Sequence, residues 1–194
     1  MSNIIFEKKF NTGVFQVHST KPEINFHEIK QTHSNIVINT TEHQAGIEAD
    51  GILSEQKDAL CIQTADCLPV LILGKNGYAL IHAGWKGLRN EILLNTKIKG
   101  IKPIFAFIGP SIQVNQYEVT KEFKNFFPEQ FFTTQKDKLL FNLQSFAKLQ
   151  LQNAFPSIVV DSCDVCTFLN PKFHSFRREK CKGRNWNLFI PNQS

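Results

Sequence analysis

Two apolar runs separated by a short polar turn constrain this fold more than any other feature of the chain. Leu68–Leu73 and Ala79–His82 lack clean polar alternation, and Gly74-Lys75-Asn76-Gly77 lies between them. A strand with one face in water alternates apolar and polar residues, whereas a strand covered on both faces does not. The runs therefore predict a hairpin at the centre of a sheet, buried from both sides. Packed layers must supply that cover.

The flanking sequence provides material for the layers. Short β-type runs precede the hairpin at Ile4–Phe10, Val14–Val17, Ile36–Ile38, Gly51–Leu53 and Ala59–Ile62. Others follow at Ile104–Ile108, Ile158–Val160 and Asn187–Ile190. Leu88–Lys99 is expected to be a helix stopped by Gly100, and Glu118–Phe127 a second one stopped by Pro128. Leu143–Ala154 is the clearest helix: Asn142 can cap it, and Leu143, Phe146, Ala147, Leu151 and Ala154 form an apolar stripe. Strands and helices are interspersed and no linker divides the chain. The expectation is an α/β class, with α+β left open. One domain over residues 1–194 would form a layered sandwich, a mixed β-sheet covered by helices.

Composition narrows the function classes. Hydrophobic residues make up 42% and charged residues 20%, which excludes a disordered chain. The 18 Phe read as core packing. No run is long enough to cross a bilayer, and Met1–Phe10 lacks the apolar stretch of a secretory leader, so a cytoplasmic protein without a membrane role is expected. Cys61, Cys67, Cys163, Cys166 and Cys181 are odd in number, which argues for buried, metal-bound or reactive thiols. The net charge of +5 suits either an anionic ligand such as phosphate or simple solubility. Basic residues are dense only between Arg177 and Arg184, with no nucleic-acid reader motif behind them.

Three segments carry chemistry where predicted strands meet loops. They are Gln31-Thr32-His33-Ser34, Thr64-Ala65-Asp66-Cys67-Leu68-Pro69 and His82-Ala83-Gly84-Trp85-Lys86-Gly87. Two imidazoles and one thiolate suit zinc, which takes nitrogen and sulfur in a tetrahedral shell. Three such ligands, His33, Cys67 and His82, would leave one position open. Spacing alone supports the plainer reading of a core histidine and a buried thiol. The turn around Trp85, with Gly84 and Gly87, raises the case for a site because backbone can approach a ligand there. Lys86 in that turn is a candidate for anion binding. Asp66 is the best local carboxylate for catalysis, with Asp50 the alternative; for either one, a turn or capping carboxylate is the plainer reading. Arg177, Arg178 and Arg184 could hold phosphate, since guanidinium groups match its oxygens. Cys163 and Cys166, with His174 and Cys181 downstream, have the look of a second zinc site, although Val165 and Phe168 suit a buried strand with separate thiols.

Read in order, these segments resemble the YfiH family, also called laccase-domain or multicopper polyphenol oxidase-like proteins. The resemblance rests on QTH, ADCLP and HAGWKG, on Ile108-Gly109-Pro110-Ser111-Ile112, and on Cys166-Thr167, Ser175-Phe176-Arg177-Arg178 and Gly183-Arg184. It spans Gln31 to the C-terminus, and together the segments are specific. It implies a layered α/β fold and zinc on His33, Cys67 and His82. It also implies action on purine nucleosides: phosphorolysis of adenosine, inosine and methylthioadenosine, and deamination of adenosine. Purine nucleoside and phosphate are then the partners, and the sequence leaves monomer and homodimer open. Thr12–His27 is shorter than its counterpart in the family and contains no Arg, so no substrate role of an arginine is carried over there. His174 replaces an aromatic residue, and Cys163 and Cys181 lie outside the family pattern. Two alternatives stand beside it. Copper-dependent oxidation of phenols ranks below zinc chemistry, because a laccase needs many His ligands and the chain has six His. A zinc-stabilised RNA-binding module would rest on the basic C-terminal segment.

Overall fold

A computed structural model describes residues 3–180 and 182–193. The predicted hairpin forms from β7 (Leu68–Gly74) and β8 (Tyr78–Ala83), antiparallel with Leu73 opposite Tyr78. Every residue from Leu68 to Leu73 and from Tyr78 to Ala83 is buried. Gly74 is required at the turn: a Cβ there would lie 2.1 Å from the carbonyl oxygen of Ile101.

The hairpin is the centre of a six-stranded mixed sheet. Beyond β7 lie β9 (Pro103–Ile108), antiparallel, and then β12 (Val159–Ser162), parallel to β9. Beyond β8 lie β5 (Gly51–Ser54), antiparallel, and β4 (Val37–Asn39), parallel to β5. Alternate side chains of β7 serve two cores. Val70 and Ile72 pack with Leu88, Ile92, Leu93, Leu143, Ala147 and Leu151, the helical cover. Leu71 and Leu73 pack with Phe15, Val17, Leu60, Ile62 and Phe189. Those last residues belong to a second sheet of five strands. Its order is β1 (Ile4–Phe10), β2 (Gly13–His18), β13 (Asn185–Pro191), β6 (Leu60–Thr64) and β3 (His27–Glu28). The class is mixed α+β in layers: helices cover one face of the central sheet, and the other cover is this second sheet.

Two helix expectations need correction. Leu88–Lys99 is not one helix but α1 (Trp85–Arg89), a 3-10 turn at Ile92–Leu94 and α2 (Thr96–Gly100). Glu91 takes a left-handed conformation, and the Asn95 side chain caps α2 by accepting from Lys97 N at 3.0 Å. Asn at that position favours the cap over the helix interior. Glu118–Phe127 is likewise not an α-helix. Val119 N donates to Leu139 O, and only a 3-10 turn at Lys121–Phe126 forms, which presents Phe123, Phe126 and Phe127 to Trp85, Phe141 and Phe146. The partner strand of this segment belongs to a hairpin absent from the sequence reading, β10 (Phe132–Gln135) and β11 (Lys138–Phe141). Its turn residues Lys136 and Asp137 both have positive φ, the geometry that Asn-Gly usually signals. The third helix, α3 (Leu143–Ala154), has its expected bounds, and the Asn142 side chain accepts from Ser145 N. Ser175 caps a single turn, α4 (Phe176–Glu179), by accepting from Arg178 N.

Candidate metal centre

His33, Cys67 and His82 come from three separate places in the chain and meet at one point. His82 lies near the end of β8, Cys67 immediately before β7, and His33 in the loop ahead of β4. One ligand atom from each lies within 4.8 Å of the others. The imidazole rings of His33 and His82 meet edge to face at 4.9 Å. Gly84, just beyond β8, completes the cradle: a Cβ there would lie 3.1 Å from Cys67 Sγ and 3.3 Å from the His33 ring. Two nitrogens and a sulfur suit a borderline-soft cation, so the residues present fit a metal.

Asp50 organises this centre. Its carboxylate is fully buried, which is tolerable because donors surround it. It accepts from the backbone N–H groups of Thr32, His33 and Ser34, from the Ser34 hydroxyl, and from His82 Nδ1 at 2.7 Å. The first four bonds hold His33 in its left-handed conformation, φ 60°. The fifth assigns the proton of His82 to Nδ1 and leaves Nε2 as the ligand. Burial opposes the charge, but the His82 and Ser34 hydrogen bonds win and hold the carboxyl at about 2. The same contest appears at the ligands. Burial raises the Cys67 thiol, yet the charge of His82 and hydrogen bonds from His33 and His82 bring it down to about 6. Burial lowers His82, while the Cys67 charge and the Asp50 hydrogen bond lift it to about 9. Cys67 is thus a thiolate facing a protonated His82 near neutral pH, and a metal held there would displace the proton on Nε2.

A cavity of about 670 Å³ opens beside the centre, lined among others by Gln63, Trp85, Tyr117, Phe176, Arg177 and Arg184. Asp66 also borders it, but both carboxylate oxygens are occupied. Oδ1 accepts from Thr167 Oγ1, and Oδ2 accepts from Ser175 Oγ and from Arg177 N. Asp66 thereby ties the start of α4 to the loop carrying Cys67. Arg177 reaches the cavity, donates through Nη1 to Glu118 O and lies over the Tyr117 ring. Arg184 also lines it and donates to Gly183 O. Arg178 points elsewhere: its nitrogens donate to the carbonyls of Thr167, Phe168, Asn170 and Phe173, and it pairs with Glu179. Lys86 is exposed, against the Trp85 ring, and outside the cavity lining.

Lys180, Gln63 and Tyr117 are among the lining residues that the sequence does not mark as site residues. Lys180 falls within the dense basic stretch between Arg177 and Arg184. Gln63 has its backbone N–H and carbonyl taken by the Gln31 amide, while its own amide takes no partner among the described residues. Tyr117 is nine-tenths buried, and burial together with the Cys67 charge holds its phenol well above the ordinary range. Nothing in a lone Tyr within a loop marks it as a cavity residue. Among the described residues no second three-ligand group occurs. Cys166 Sγ accepts from Gln113 N, His174 Nε2 contacts Ser19 O, and Cys163 packs in the core between the sheets. Cys181 lies outside the described residues.

The model of the multi-copper polyphenol oxidoreductase laccase family matches residues 11–191. The chain belongs to this family. Among its relatives, a purine nucleoside phosphorylase of Aquifex aeolicus is 36% identical over 161 residues, covering 79% of this chain and 77% of that protein. The purine nucleoside phosphorylase YfiH of Shigella flexneri is 34% identical, covering 80% of this chain and 70% of that one. The crystal structure of a Neisseria meningitidis protein superposes with a TM-score of 0.77 at 32% identity, covering 86% of this chain and 75% of the other. The YfiH family expected from the motifs is therefore the family found.

Proposed function

We propose that the chain is a zinc-dependent enzyme of purine nucleosides. It cleaves adenosine, inosine and methylthioadenosine with phosphate, a transferase reaction, and deaminates adenosine, a hydrolase reaction. The observation that carries this reading is the convergence of His33, Cys67 and His82 in the wall of a cavity that Arg177 and Arg184 also border. At about 670 Å³ the cavity is of a size that encloses a small ligand. The purine nucleoside phosphorylases among the relatives support the substrate class.

The residues divide the work. His33, Cys67 and His82 would hold the zinc, and Asp50 fixes the tautomer and orientation of His82. When bound, zinc supplies Lewis acidity at an open coordination position. Arg177 keeps Nε and Nη2 without partners among the described residues, so its guanidinium can hold a phosphate oxygen, and Arg184 adds charge beside it. Asp66 acts by position: with its oxygens occupied, it sets Arg177 against the cavity.

The family's description supports a second reading, copper-dependent oxidation of phenols. The described residues assemble one three-ligand group, so that oxidation would have to run at a single centre. Product analysis separates the two readings. The chain, stripped of metal and reloaded with zinc, is incubated with adenosine, with and without phosphate. Expected products are adenine and ribose 1-phosphate with phosphate, and inosine without it. No nucleoside product, together with phenol oxidation by the copper-loaded chain, would instead establish the second reading.

A further inference from the structure

The chain has two tyrosines, and their hydroxyls are treated in opposite ways. Tyr78 Oη donates within reach of two carbonyls, Gln56 O at 2.7 Å and Asp58 O at 2.6 Å. Tyr117 is just as buried, at 9% exposure against 8%, yet its hydroxyl has no hydrogen-bond partner among the described residues. Nor is that oxygen sealed inside the protein: it is absent from the enclosed unpartnered atoms, which are Gln113 Nε2, Gln150 Oε1 and Asn187 Oδ1. It keeps accessible surface, and Tyr117 lines the cavity together with Cys67, His82 and Arg177. A buried phenol normally finds a partner, and one held open towards a site is an observation that calls for a ligand.

The ring is fixed for such a role. Phe123 and Phe141 pack against it at 6.3 and 6.2 Å, and the Arg177 guanidinium lies 5.2 Å from its centroid. Backbone bonds hold the residue too: Tyr117 N donates to Val114 O, and Tyr117 O accepts from Phe141 N. A rigid donor in the wall of a partly enclosed cavity is worth more than one at the surface. The cationic groups of the cavity match phosphate, which leaves the neutral phenol for a neutral acceptor. Gln63 and Trp85 also bring neutral donors to the lining, but both are more exposed, and their hydrogen bonds compete with water.

We infer that Tyr117 is a catalytic residue that donates a hydrogen bond to the departing purine. The inference rests on the phosphorolysis reading given above. In that reaction the bond between the anomeric carbon and purine N9 breaks, and its electron pair stays on the purine. A phosphate oxygen bonds to the anomeric carbon, and the proton of hydrogen phosphate ends on the purine. Negative charge grows on the ring nitrogens before that proton arrives. The Tyr117 O–H lowers the barrier by bonding more strongly to the purine then than in the ground state, and it keeps its own proton.

The test compares two leaving groups in Tyr117→Phe, a variant that loses only the hydroxyl and should keep the wild-type melting temperature. With inosine and phosphate, kcat/KM should fall about tenfold or more, as when one oriented donor is removed. In 7-methylinosine the purine already carries a positive charge and leaves without building a negative one. Its kcat/KM should stay within about threefold of wild type. An equal loss on both substrates overturns the inference, as does no loss on either, or a raised KM for phosphate alone. A wild-type chain that cleaves neither nucleoside removes the phosphorolysis reading and this inference with it.

Discussion

Asp50 shows how much one residue carries. It was visible in the sequence only as an alternative to Asp66, with a turn carboxylate as the plainer account. Its hydrogen bonds tie the His33 loop to His82 across the sheet. Asp50→Asn keeps the shape but replaces one acceptor oxygen with a donor, so His82 loses its orienting partner. Zinc affinity should fall roughly 10- to 100-fold, the usual cost of losing such a partner, as measured by competition with a chromophoric chelator. Cys67→Ala should abolish turnover with the circular dichroism spectrum retained, because the two cores do not depend on the metal. A collapsed spectrum would show that the metal is structural. The basic segment divides residue by residue. Arg177→Ala should weaken apparent phosphate affinity with deamination largely spared. Arg178→Ala should leave phosphate affinity alone and cost about 2 kcal/mol of stability by urea titration, because its bonds go to backbone carbonyls.

At the scale of elements, strands were far more legible than helices. The β7–β8 hairpin was evident because burial on both faces erases alternation, and α3 because its stripe and cap agree. The Leu88–Lys99 stretch misled because Asn95 and Glu91 act through local backbone conformation, which an apolar pattern does not record. Phe123, Phe126 and Phe127 misled for a related reason: one aromatic cluster can be built by a 3-10 turn or by a helix. The β10–β11 hairpin was missed because Lys136-Asp137 is an uncommon pair for its turn. The α1 turn offers a test at this scale. Gly84→Ala places a methyl against Cys67 Sγ and the His33 ring, so it should lower zinc occupancy in elemental analysis while thermal melting stays near wild type. Full occupancy would show that the cradle has room to spare.

Across the whole molecule, two sheets and a helical layer bring residues far apart in sequence to one cavity. The motif segments pointed to His33, Cys67 and His82, whose side chains the fold brings together, because their residue types, in order, are specific. They could not show that Asp66 would be occupied by Thr167, Ser175 and Arg177, or that Tyr117 would face the same space. Those facts depend on where α4 and the loop after β9 settle, which no local pattern encodes. His33, Cys67 and His82 should together hold a single metal ion. X-ray absorption at the zinc edge, with elemental analysis of the same purified sample, tests it most directly. The expected result is about one zinc per chain, with one sulfur at roughly 2.3 Å and two imidazole nitrogens at roughly 2.0 Å. A chain without bound metal, or a metal shell lacking sulfur, would contradict the account.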